Sequence, residues 1–85
     1  MKISSMDEFQ EKCRVEYTIW HHKFGDTKIA FNDTFIVWSC KTLKNWKCIV
    51  CNKVDNTLAE YTFNGDKGEL YEDVYKKLSN RCITE

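Results

Sequence analysis

The chain has no proline and only three glycines in 85 residues; arginine occurs only as Arg14 and Arg81, and alanine only as Ala30 and Ala59. Without proline or glycine clusters it has no linker or low-complexity segment, and no internal repeat is visible. Gly25, Gly65 and Gly68 sit at turn or cap positions, which excludes a glycine-rich loop cradling phosphates. No apolar run approaches the ~20 residues needed to span a bilayer. The opening MKISSMDEFQEK lacks the apolar stretch of a signal peptide, so a cytoplasmic protein with no membrane partner is expected. Thirteen basic residues balance thirteen acidic ones, which excludes a generally basic character.

Three Trp, four Tyr and five Phe supply a real core, so disorder is excluded and one small domain over 1–85 is expected. A chain of this size buries roughly 60–65% of its unfolded surface, so good packing is essential. The five cysteines, Cys13, Cys40, Cys48, Cys51 and Cys82, are odd in number and cannot all pair within one chain. Reduced thiols, mostly packed as small apolar side chains, are expected.

Helix signals open the chain. Ser5 and Glu8 form a capping-box pattern, and Met6, Phe9, Cys13, Tyr17, Trp20 and Phe24 recur every three or four residues. His21, His22 and Lys23 suit a helix C-terminus, and Gly25 suits a left-handed cap. A helix over about 6–24 follows, with a strand beginning at Val15 as the rival reading because Val15, Tyr17 and Ile19 alternate. Strands are expected at Lys28–Asn32, Phe35–Lys41, Trp46–Asn52 and Leu58–Phe63, with Lys41–Asn45 as a hairpin loop of moderate length. Leu70, Tyr71, Val74, Tyr75 and Leu78 give Glu69–Asn80 a helical apolar face, with acids at its start and bases at its end. The expected fold is α+β: an antiparallel sheet of three to four strands, flanked in sequence by an N-terminal and a C-terminal helix packed on one face.

Alternation divides each strand into two faces. Ile29, Phe31, Ile36, Trp38, Cys40, Trp46, Cys48, Val50, Ala59, Tyr61 and Phe63 should lie under the helices. Lys28, Ala30, Asn32, Val37, Ser39, Lys41, Lys47, Ile49, Cys51, Lys53, Leu58, Glu60 and Thr62 should face outward. The segment Thr34–Val54 holds Lys41, Lys44, Lys47 and Lys53 and no acid, which separates it from the charge-balanced remainder. Lys28, Lys41, Lys44, Lys47 and Lys53 are therefore the candidate nucleic-acid contacts, with RNA as the polyanion. Val37, Ile49 and Leu58, lying among them, are the candidate contacts for a protein partner. The plain alternative is a solvated face whose lysines protect a sheet edge.

Three resemblances follow from these residues. Trp46-Lys47-Cys48-Ile49-Val50-Cys51 resembles the first half of a RanBP2-type zinc finger, W-x-C-x-x-C, although a tetrahedral site needs four ligands and no second CxxC follows near Phe63–Asp66. Cys48 and Cys51 are the metal candidates, with Cys40, His21 or His22 as further ligands that nothing in the spacing demands, and no cofactor is expected. The helix–strand–strand–strand–helix order is similar to the double-stranded-RNA-binding domain, but Asp66-Lys67-Gly68-Glu69 is acidic where that family is basic. The shortness, the scarcity of Arg, Ala, Gly and Pro, and the wealth of Lys, Cys and aromatics resemble the small accessory proteins of T4-like phages. That resemblance implies a counter-defence role, such as neutralising a host toxin–antitoxin system.

The expected function is thus non-enzymatic binding of RNA through the lysine face, as an inhibitor of a host defence. The alternatives are a protein-binding inhibitor of a host enzyme and a zinc-stabilised module. His21, His22 and Cys13 show no recognisable Ser/Cys–His–Asp order, so catalysis is not expected. Monomer and strand-paired homodimer both remain open.

Overall fold

The computed structural model describes residues 1–84. Its elements are helix α1 (Met6–Lys23), a short 3-10 turn (Phe31–Asp33), and strands β1 (Thr34–Thr42), β2 (Asn45–Asn52), β3 (Thr57–Asn64) and β4 (Glu69–Lys76). The strands form one antiparallel meander in the order β1-β2-β3-β4. One face is covered by α1, which packs on β1 and β2. The fold is α+β, as expected, with a single helix.

Helix α1 begins where the capping pattern places it. Ser5 Oγ accepts the Glu8 N–H at 3.1 Å, while the Glu8 carboxylate accepts from Ser4 rather than from the cap itself. Phe9, Cys13, Tyr17 and His21, four residues apart, form the fully buried stripe. His21 therefore displaces Trp20 and Phe24 from the expected stripe. Gly25 is not left-handed. Its role is close approach: a Cβ there would lie 3.0 Å from the backbone and ring of His21.

Against this stripe pack Trp46, Cys48 and Val50 of β2 and Ala59, Tyr61 and Phe63 of β3, all buried. Phe9 meets Trp46 with ring centroids 5.6 Å apart. Each such large side chain contributes about 1.5–3 kcal/mol by leaving water. Cys13 and Cys48 meet in this core, where hydrogen bonding between them and burial push the Cys13 thiol far up.

Four expectations change. The C-terminal helix is absent among the described residues; Glu69–Lys76 is strand β4 and residues 77–84 are irregular. The spacing of Leu70, Tyr71, Val74 and Tyr75 is helical, but the turn at Asn64–Gly68 returns the chain beside β3, where a full ladder forms. Tyr and Val also favour strands, so pairing wins over helical charge order. Lys28–Asn32 is not a strand: the Asp33 side chain accepts the Ala30 N–H at 2.9 Å and closes the 3-10 turn instead. The loop between β1 and β2 is only Leu43-Lys44, with Leu43 at φ 57°.

The fourth change matters most. β1 carries a bulge between Ile36 and Trp38, so Ile36 pairs with Val50 and Trp38 with Ile49. Val37 is the extra residue, and from there the faces exchange. Trp38 and Cys40, expected in the core, point to the uncovered face and are exposed. Ser39 and Lys41, expected outside, move to the helix side. There Ser39 accepts from Gln10 at 2.8 Å, and the Lys41 ammonium lies 5.4 Å over the Trp46 ring.

Candidate functional site: the open face of the sheet

The register lays out the uncovered face in four cross-strand rows. Phe35, Cys51, Leu58 and Tyr75 form the first; Trp38, Ile49, Glu60 and Asp73 the second. Cys40, Lys47, Thr62 and Tyr71 form the third; Thr42, Asn45, Asn64 and Glu69 the last. Neighbouring strands lie about 4.8 Å apart and rise about 3.4 Å per residue, so the face offers on the order of 400–500 Å². That is more than half of the ~800 Å² each partner contributes to a standard protein–protein interface.

Aromatic side chains flank this face. Trp38 is 48% exposed on β1, and Tyr71 and Tyr75 are 49% and 52% exposed on β4. Phe35 and Val37 are also exposed, while Ile49, Cys51 and Leu58 are half-buried between them. Burial raises the Cys51 thiol pKa, with the Lys77 charge opposing. Tyr71 donates to Glu69 at 3.0 Å, and that hydrogen bond, reinforced by the carboxylate charge, raises its hydroxyl pKa.

The lysines do not gather here. Only Lys47 stands within the face, and its ammonium is 3.2 Å from Glu60. With Asp73 and Glu69 on the same side, the face carries more negative than positive charge. Lys44 sits in the hairpin turn, 3.5 Å from Asp66, and Lys41 lies nearby on the helix side. Lys53 follows β2 and donates its backbone N–H to Asp33 at 3.0 Å; Lys28 lies in the loop after α1. Lys41 and Lys44 join Lys2 and Trp46 around a cavity of about 280 Å³ at this hairpin end.

Ile49 and Leu58, in contrast, are brought onto one surface, Ile49 beside Trp38, while Val37 is the exposed extra residue of the bulge. Sequence reasoning missed Phe35, Trp38, Tyr71 and Tyr75. Trp38 was hidden by the bulge, and the two tyrosines by the helical spacing of their segment. Cys48 and Cys51 point to opposite faces of β2, Cys48 into the core, so they cannot share one ion on this strand. Among the described residues no three His, Cys, Asp or Glu side chains are grouped to hold a metal ion. No helix among them is long and apolar enough to cross a membrane.

A second polar constellation lies at the far end of α1. His21 is fully buried; its Nδ1 faces the Thr27 carbonyl at 3.1 Å and its Nε2 faces Thr57 Oγ1 at 3.0 Å. Thr57 Oγ1 also lies 2.7 Å from Asp55 and 2.8 Å from the Tyr17 hydroxyl. With three close neighbours the threonine oxygen is held in place. Asn52 completes the cluster, donating to Tyr17 and Asp55 and accepting from the Val54 and Asp55 backbone. Burial raises the Asp55 pKa, but hydrogen bonds from Asn52 and Thr57, with His21 nearby, outweigh it and hold the carboxyl below its usual value. This network pins the β2–β3 turn beneath the helix.

No curated protein and no solved structure matches the chain. A model described as "Family of unknown function (DUF6275)" matches residues 8–85, and the chain belongs to that family.

Proposed function

We propose that the protein is a non-enzymatic binding module that recognises another protein through its open sheet face. The carrying observation is the four-strand face itself, with Phe35, Trp38, Tyr71 and Tyr75 flanking Ile49 and Leu58 and, among the described residues, no element covering them. Exposed aromatic and aliphatic residues in one patch are what protein interfaces use as anchors. The excess of acid from Glu60, Asp73 and Glu69 over Lys47 favours a partner whose apolar surface is bordered by Lys or Arg. A second copy of the chain fits less well, because a two-fold contact would bring these carboxylates near their own copies. An inhibitory role, as implied by the phage-like composition, would follow if the partner were a host enzyme.

The RNA reading retains one supporting observation, the cavity near Lys2, Lys41 and Lys44. The open face does not favour it, since phosphates would meet Asp73 and Glu69.

The two readings separate in one experiment. The protein is tagged and recovered from host cells as the parent, as Trp38→Ser with Tyr71→Ser, and as Lys41→Gln with Lys44→Gln. The protein-docking reading expects one protein recovered in stoichiometric amount with the parent and the lysine variant, and lost with the aromatic variant. Hydrogen exchange should then place its protection on β1 and β4. Retention by the aromatic variant, or nuclease-sensitive RNA lost only with the lysine variant, would overturn it.

A further inference from the structure

Because α1 lies over β1 and β2, its last turns and β4 leave a cleft between them at the end of the sheet remote from the β1–β2 hairpin. The cleft has a volume of about 390 Å³ and is lined by Trp20, Phe24, Asp26, Asp55, Val74 and Lys76. Trp20 and Phe24 stand with ring centroids 6.3 Å apart, and Trp20 rests edge-on against the buried His21 at 5.1 Å. These contacts fix the indole as a wall.

Asp55 is the fixed charge in this wall. Its side chain is only 17% exposed. Its two oxygens are used unequally. Oδ1 accepts from Asn52 at 2.8 Å, from the Thr57 N–H at 2.9 Å and from the Thr57 hydroxyl at 2.7 Å. Oδ2 has, among the described residues, only His21 Nδ1 at 3.5 Å, and that nitrogen faces the nearer Thr27 carbonyl. One oxygen of an immobilised carboxylate thus keeps its acceptor capacity at a cleft with aromatic walls.

We propose that this cleft is a binding site for an alkylammonium or guanidinium group, held by Asp55 Oδ2 and by the Trp20 ring. A cation over an indole face and against a preorganised carboxylate gains from both, and desolvation inside a cleft strengthens each contact. Asp26 at the cleft adds attraction of the same sign. Lys76 opposes it as an internal competitor, which supplies a distinctive test. The group could come from a free amine or from an Arg or Lys side chain of a protein. The site is separate from the aromatic face around Trp38 and does not rest on the docking reading.

The test is a titration of the full chain, followed through the Trp20 indole N–H in a nitrogen-labelled sample. The probes are agmatine, a blocked Gly-Arg-Gly peptide, and the same peptide with citrulline in place of arginine. Both cations should shift the Trp20 signal saturably, and the neutral citrulline peptide should not. Trp20→Leu, followed by calorimetry, should weaken binding about fivefold. Lys76→Gln should tighten it several-fold, and Trp38→Ser should leave it unchanged. Asp55→Asn should abolish it; because that change also touches the turn, Lys76→Gln carries the decision. Tighter binding of the peptide identifies a protein side chain as the source, and tighter binding of agmatine identifies a free amine. Equal binding of the citrulline peptide, no saturable Trp20 shift, or an affinity unmoved by Lys76→Gln would overturn the proposal.

Discussion

Asp55 Oδ1 accepts twice from Thr57, from its backbone N–H at 2.9 Å and from its hydroxyl at 2.7 Å. Through Thr57 the same carboxylate is joined to His21 and Tyr17 of the helix, so one turn between strands is tied to the element covering them.

That tie has a pH signature. Burial is outweighed by hydrogen bonds from Asn52 and Thr57, with His21 nearby, which hold the Asp55 carboxyl below its ordinary value, so its folded pKa is depressed. Its contribution is complete above the unfolded value and disappears as pH falls through the folded one. Asp55→Asn should cost about 1–2 kcal/mol at pH 7. Urea midpoints measured from pH 7 to pH 2 should fall more steeply below about pH 4 in the parent than in the variant. Parallel curves would remove Asp55 from the acid transition.

Two turns predict opposite signs. A Cβ at Gly65 would lie 2.2 Å from the Lys44 carbonyl oxygen, because the two hairpin turns touch. Gly65→Ala should destabilise by about 2–4 kcal/mol. Leu43 sits at φ 57° with 83% of its surface exposed, a conformation that asparagine tolerates better. Leu43→Asn should stabilise by about 0.5–1 kcal/mol, read as a higher melting temperature.

The bulge can be tested by deletion. Removing Val37 leaves Ile36 opposite Val50 and Trp38 opposite Ile49, with alternation restored and both side chains on their present faces. The shortened chain should fold, and Trp38 fluorescence, obtained by difference from a Trp38→Phe version, should remain accessible to acrylamide. Burial of Trp38 in the shortened chain would mean that β1 has no bulge.

Thiol reactivity should divide by position. Cys40 and Cys82 are exposed, whereas Cys13 and Cys48 are buried. Cys51 is half-covered with a raised pKa, so little thiolate is present near neutrality. A chromogenic disulfide reagent at pH 7.5 should modify two thiols rapidly, a third slowly, and the last two only in denaturant. Rapid reaction of Cys48 would contradict the core packing.

The helix and the two central strands, β2 and β3, were legible in the sequence because their signals agree, and the existence of β1 was legible with them. In α1 cap, stripe and terminal charges coincide, and in β2 and β3 the alternation is unbroken. β4 was not legible: Leu70, Tyr71, Val74 and Tyr75 have helical spacing, and pairing with β3 overrides it. The site failed for a related reason. A single extra residue, Val37, inverts every later side chain of β1, and alternation counted from the sequence carries no mark of it. Ile49 and Leu58 were placed on the open face correctly because β2 and β3 have no such irregularity.

The placement of α1 over β1 and β2 also sets a gradient of rigidity across the sheet. β1 and β2 lie directly beneath the helix, whereas β4 is held by its ladder to β3, by Leu70 and Val74 at the core edge and by the Tyr61–Glu72 hydrogen bond, with a cleft toward the last turns of the helix. Its amides should exchange first, ahead of any global opening. The open face is therefore mounted on two unequal supports. Phe35 and Trp38 stand on the strand beneath the helix, and Tyr71 and Tyr75 on the strand farthest from it. A partner that grips both aromatic pairs therefore also pulls on Leu70, Val74 and Glu72, through which β4 meets the core.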